Sequence, residues 1–207
     1  MRDEPSWLSW GRKLQAIAQT GLTFSEEQYD RERYEQVRAI AAEMLAAHTD
    51  AEPEYLRGLF EREEGYATPK VDVRAGVFRD GGILLVRERR DGLWTLPGGW
   101  ADVNDAPSAA IEREVFEESG FTASAVKLAA VFDRRWHGHP PSPRHTYKLF
   151  FLCELLGGEA THSYETDGVE FFAEDALPPL SLPRVTPEEV AMLFRHQRDP
   201  QRPTDFD

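Results

Sequence analysis

Positive charge is scarce in this chain. Only 24 Lys and Arg stand against 37 Asp and Glu, a formal net charge of -13 with a pI of about 4.9. On average such a surface repels a phosphate backbone, so nucleic acid is not expected as a partner, although a local basic loop could still meet one nucleotide's phosphates. Cysteine occurs once, at Cys153, which excludes an internal disulfide and any multi-cysteine metal site. Its place in the apolar run Leu149 to Leu156 predicts a buried, inert thiol. No apolar run approaches the ~18 residues of a membrane span, and no basic-then-apolar stretch opens the sequence. The expectation is therefore a cytoplasmic protein with no membrane partner, and no internal repeat is visible. The 207 residues, 41% hydrophobic and 29% charged, have the composition of a globular protein able to bury a real core. They leave room for one domain with an appendage, or for two small ones.

The organising stretch is Gly98 to Phe121, GGWADVNDAPSAAIEREVFEESGF. A glycine pair opens it, Asp105 with Pro107 predicts a helix start, and Gly120 predicts its left-handed stop. On that helix Glu114 and Glu118 are four residues apart and Glu114 and Glu117 three, so the three carboxylates share a face. Ala110, Val115 and Phe116 are then the expected buried side. Like charges at this spacing repel and cost helix stability unless something positive sits against them. An all-carboxylate set suits a hard divalent cation such as Mg2+ or Mn2+. Taken alone, EREVFEE is more commonly an ordinary solvated acidic face. The flanking glycines favour the metal.

The spacing Gly99, five residues, Asp105, seven residues, then Arg113-Glu114-Val115-x-Glu117-Glu118-x-Gly120-Phe121 resembles the Nudix box, with Asp105 where that family has Glu. The approach Trp94 through Gly99 (WTLPGG) is similar to the family's as well. The resemblance implies an α+β Nudix fold, a mixed sheet between helices in an α/β/α sandwich. It also implies metal-dependent hydrolysis of the pyrophosphate bond of a nucleoside diphosphate derivative, giving a nucleoside monophosphate and X-phosphate. Glu114 and Glu118 are then the first-choice ligands for Mg2+ (or Mn2+), with Glu117 and the Gly99 carbonyl in support. Arg113 would orient a box glutamate. Family members often draw a further catalytic carboxylate from outside the box, and Glu165 is the candidate, with Glu170 behind it. A nucleotide-sensing or scaffold domain without catalysis is the alternative, although such a protein should lack a box carboxylate and all three are present.

Residues 1–66 predict helices. Trp7, Trp10, Leu14, Ile17 and Ala18 recur at helical spacing up to Gly21, Ser25 with Gln28 fits a capping box for a second helix, and Pro53 starts a third. So little chain is not expected to build its own core, which directs its apolar faces to the following domain or to a second copy in a homodimer. Trp7, the Leu14–Leu22 stretch and Tyr29 to Tyr34 are similar to a helical extension ahead of the Nudix domain in a bacterial subgroup acting on X-linked nucleoside diphosphates. ADP-ribose, CDP-choline or a related compound is the implied substrate.

From residue 67 onward the Nudix domain is expected. Val71, Val73, Ala75 and Val77 alternate as a strand, Asp80-Gly81-Gly82 signals a hairpin, and Ile83 to Arg87 returns. Val126 to Phe132, Thr146 to Leu155 and Val169 to Ala173 are further strands, and Thr186 with Glu189 caps a last helix. The residues from about 199 predict a disordered tail. The loop Asp133 to His145 (DRRWHGHPPSPRH) is basic for this chain. It is either a mobile surface loop with incidental charge or a substrate-facing one in which Trp136 stacks on a base and Arg144 meets phosphate. Trp100 and Arg89, flanking the glycine approach, complete the candidate substrate contacts. His137 and His139 lack the partners a zinc site needs.

Overall fold

The computed structural model describes residues 5–207, which divide into two compact units. One comprises residues 5–69 with Pro141–His145, the other Lys70–Pro140 with Thr146–Asp207.

The first unit holds helices α1 (Ser6–Phe24), α2 (Gln28–Ala46) and α3 (Pro53–Glu61). Contrary to expectation they build a small core of their own from Leu8, Ala41, Ala42, Leu45, Leu56 and Phe60. Gly11 of α1 lies against the Leu45 side chain, where a Cβ would stand 2.8 Å away. Gly21 does not end α1 but lies inside it, where the Tyr34 ring occupies the space of a Cβ. Nor does Ser25 cap α2; the Glu27 carboxylate accepts from the Tyr29 N–H at 2.9 Å. Trp7 stacks on His48 with ring centroids 4.8 Å apart, a packing role.

The second unit is a seven-stranded mixed sheet. Its strands are β1 (Lys70–Arg79), β2 (Gly82–Glu88), β3 (Trp94–Thr95), β4 (Phe121–Asp133), β5 (Thr146–Gly158), β6 (Thr166–Phe172) and β7 (Asp205–Phe206). The path runs β3-β2-β1-β5-β4-β7, with β6 on the other edge of β2. β1 lies parallel to β5, and β4 is antiparallel to β5.

Strand residues alternate between faces, and here both faces are covered. Val73, Ala75, Val77, Leu84, Phe151 and Cys153 pack with Ala110, Ile111 and Val115 of α4 (Pro107–Ser119). Ile83, Leu85, Phe150 and Leu152 pack with Val190, Leu193 and Phe194 of α5 (Pro187–Arg198). This is the α/β/α sandwich, and each fully buried side chain such as Phe150 or Leu193 stabilises it by about 1.5–3 kcal/mol. Cys153 is buried, and burial pushes its thiol up to about 12.

Two expectations about α4 need correction. Its N-cap is Ala106, because the Asp105 carboxylate turns to Arg113 instead of to the helix end. Phe116 is 59% exposed, since α4 buries the side carrying Ala110, Ile111 and Val115. The end is as predicted, with Gly120 at φ 76° closing onto the Phe116 carbonyl.

The expected disordered tail is also corrected. Ala130 and Val131 of β4 pair in parallel with Asp205 and Phe206. Lys127 Nζ donates to the carbonyls of Pro200 and Arg202 at 3.0 and 2.6 Å, and Thr204 Oγ1 to that of Leu128 at 2.8 Å. Polar composition suggested disorder, but these residues satisfy groups on the β4 edge that only the folded sheet presents.

Candidate active site

The site is built where α4 faces the glycine approach. Val73 N–H donates to the Gly99 carbonyl at 2.8 Å and Ala75 N–H to the Pro97 carbonyl at 2.9 Å, laying residues 97–99 along β1. Gly98 between them has φ 134°, and a Cβ there would stand 2.0 Å from the Val73 carbonyl oxygen. Only glycine fits. Its N–H points instead at α4 and donates to Glu118 Oε2 at 2.9 Å. Glu114 also meets this segment, its Oε2 lying 3.2 Å from the Cβ position of Gly99.

Glu118 is buried, and desolvation pushes its carboxyl up to about 8, against the opposing pull of the Arg74 charge and the Gly98 hydrogen bond. Glu114 and Glu88 add to the rise by like-charge repulsion. Desolvation raises Glu114 too, offset by Arg113. Thr166 Oγ1 donates to the Glu118 main-chain carbonyl at 2.7 Å, tying the last turn of α4 to the start of β6.

Arg113 is the cation set against two of the three box glutamates. Its guanidinium reaches Glu114 at 3.0 Å, Glu117 at 2.9 Å, Asp102 at 3.2 Å and Asp105 at 3.3 Å. Asp105, at the position that departs from the family pattern, thus serves as one of its anchors. One terminal nitrogen of Arg113 bridges Glu114 and Glu117. Among the described residues no three His, Cys, Asp or Glu converge into a ready ligand set. The Gly99 carbonyl, expected as a ligand, already accepts from Val73, which leaves it one lone pair. The donor chemistry nonetheless fits a hard divalent cation. Glu114 and Glu118 are oxygen donors, and burial disfavours their ionised form unless a cation sits against it.

The remaining candidates lie outside the box segment, except Trp100. Glu165 is exposed, its carbonyl accepting from the Arg89 N–H at 2.9 Å, and its charge is felt at Glu88. Glu170 is exposed on β6. Arg89 is exposed, with Nε donating to the Ser163 carbonyl at 3.3 Å. Trp100 is 51% exposed immediately after Gly99. Trp136 is 47% exposed, with the Arg135 guanidinium 5.4 Å from its ring centroid. Arg144 falls in the segment that groups with the helical unit, where its N–H donates to Ser142 Oγ at 3.2 Å. His139 is not a loop ligand: its ring nitrogens face the Leu182 carbonyl at 2.7 Å and Glu189 Oε1 at 2.8 Å.

Sequence reasoning passed over Asp72 and Arg74. Both are buried in β1, joined by contacts of 2.8 and 3.1 Å. A signal was present, a charged pair alternating with valines in a strand, but alternation alone reads as a solvated face.

Residues 68–194 match the NUDIX domain family, and residues 5–60 match the family described as a UDP-X-like, N-terminal oligomerisation domain. YjhB of Bacillus subtilis (strain 168), which carries the provisional name ADP-ribose pyrophosphatase, is 45% identical over 204 residues, spanning 99% of this chain and 98% of that one. A crystal structure of a UDP-X diphosphatase is 36% identical, with a TM-score of 0.64 over 98% of both chains. That of an ADP-ribose pyrophosphatase from Streptococcus suis is 42% identical, with a TM-score of 0.63 over 68% of this chain and all of the other. The protein belongs to the Nudix hydrolase family and is a pyrophosphohydrolase.

Proposed function

We propose that this enzyme hydrolyses the pyrophosphate bond of an X-linked nucleoside diphosphate, with ADP-ribose as the first substrate to test, releasing a nucleoside monophosphate and X-phosphate. The observation that carries this is the buried Glu118 carboxyl held on the Gly98 N–H beside Glu114. The names of the Bacillus subtilis and Streptococcus suis relatives favour ADP-ribose, and the UDP-X diphosphatase likeness widens the class.

Glu114 and Glu118 would hold Mg2+ or Mn2+, with Glu117 in support. Bound there, divalent cations supply charge to neutralise the diphosphate and acidify a water. The Gly98 N–H fixes one Glu118 oxygen, and the other would hold the cation. Arg113, anchored by Asp102 and Asp105, orients Glu114 and Glu117. Glu165 is the candidate to take the proton of the attacking water, approaching the phosphates from its exposed loop. Trp100 and Trp136 are candidates to stack on the base, and Arg89 and Arg144 to meet phosphate.

A homodimer through α1 accompanies this reading. Trp10, Ile17 and Phe24, at seven-residue intervals, are 57%, 55% and 67% exposed, a ridge along one side of the helix. The match to an oligomerisation domain over residues 5–60 supports that use of it.

The test is release of nucleoside monophosphate from ADP-ribose, CDP-choline and UDP-sugars with Mg2+ or Mn2+. Cleavage of one class, abolished by EDTA, supports the proposal. Binding without cleavage across the panel overturns it.

A further inference from the structure

Arg74 is a charged side chain sealed inside the sheet layer, 7% exposed, at the rear of the glycine approach. Three of its features point the same way. Its Nε and one terminal nitrogen form a fork onto Asp72 at 3.1 and 2.8 Å. Its other terminal nitrogen donates to the Leu96 carbonyl at 3.0 Å, two residues before Gly98. Its Cα stands 3.0 Å from where a Gly98 Cβ would be, so the glycine backbone lies directly against it. Asp72 is fixed from its far side by Lys148 Nζ at 3.8 Å, which in turn meets Glu189 at 3.2 Å.

We propose that Arg74, locked by Asp72, is a positioning residue for hydrolysis: it holds the Leu96–Gly98 backbone so that the Gly98 N–H is presented to Glu118. The proposal rests on the role given to Glu118 above. A buried guanidinium is costly unless it is paired and hydrogen-bonded. The Asp72 carboxylate, the Leu96 carbonyl and, at 3.5 Å, Thr95 Oγ1 engage all three of its nitrogens, so the segment it grips has little freedom. A neutral side chain of similar length would fill the space without directing the Leu96 carbonyl. The Arg74 charge also opposes the burial of Glu118, a second way in which it acts through that carboxylate and not on substrate.

The test uses the full chain. The double variant Asp72→Asn/Arg74→Met removes one charge of each sign, so no buried ion is orphaned and the Lys148–Glu189 pair stays intact. Arg74→Lys keeps the charge but loses the fork. Steady-state kinetics are paired with the amide resonance of Gly98 in the metal-free protein, which reports its hydrogen bond independently of turnover. For the double variant, kcat is expected to fall tenfold or more, with KM within threefold of wild type. The Gly98 amide proton should move upfield while the amides of α5 and the helical unit stay in place. Arg74→Lys should show the same changes at smaller size, and it decides the matter if the double variant does not fold. A kcat within twofold of wild type, or an unmoved Gly98 resonance, overturns the proposal. If the wild-type enzyme cleaves nothing in the panel, the hydrolytic reading fails by itself, and the Gly98 resonance still decides whether Arg74 positions this segment.

Discussion

Thr166 Oγ1 donates to the main-chain carbonyl of Glu118 at 2.7 Å, joining residues 48 apart in the chain. The hydroxyl also meets Ser163 Oγ at 2.9 Å, and Thr166 is fully buried. Thr166→Val keeps the shape and deletes these bonds, together with that from the Ser163 N–H at 3.3 Å. Unfolding in urea should show a loss of about 1–3 kcal/mol, the cost of leaving a buried carbonyl without its donor.

Glu118→Gln keeps the side-chain oxygen that accepts from Gly98 but removes the charge. Turnover with saturating Mg2+ should fall at least a hundredfold while the thermal midpoint stays level or rises, because a neutral amide avoids the cost of keeping this carboxyl protonated in the fold. Near-wild-type turnover would remove Glu118 from the metal site.

Burial of Glu118 has a linked pH consequence. Its folded value of about 8 lies above the ordinary 4.5. Between those values the unfolded chain has released its proton while the metal-free folded protein retains it. This carboxyl therefore lowers stability progressively as pH rises from about 4.5 to 8, with no further loss above. Binding of Mn2+ at pH 7 should release protons from this carboxyl. Calorimetry in buffers of different ionisation enthalpy measures that release, which should shrink towards pH 9.

Trp10, Ile17 and Phe24 make the exposed ridge of α1. Ile17→Glu in its middle should convert a dimer to a monomer in sedimentation velocity while leaving the circular dichroism of the helices intact. A wild-type protein already monomeric at tens of micromolar would dispose of the dimer.

The candidate site was legible to the extent that its spacing is local. Glu114, Glu117 and Glu118 lie within two helical turns between Gly99 and Gly120, so helix geometry alone puts them on one face. The capping box at Thr186 and Glu189 and the Asp80-Gly81 turn were legible for the same reason. Asp72 and Arg74 were not, because their alternation with valines looks the same whether one face of a strand is wet or both are covered. The tail failed for a related reason, since the edge it pairs with is β4, about 75 residues earlier.

By itself the sequence determined the chemistry: which residue types stand at helical spacing, where glycine permits close backbone approach, and that a single buried thiol excludes disulfides. Tertiary structure decided which charges are buried and against what. It set Glu118 on the Gly98 N–H, put Arg113 among four carboxylates and sealed Arg74 behind the glycine approach. Burial and Coulomb energy depend on distances between chain-remote groups in a medium of low dielectric, and those distances exist only once the sheet has closed between its helices.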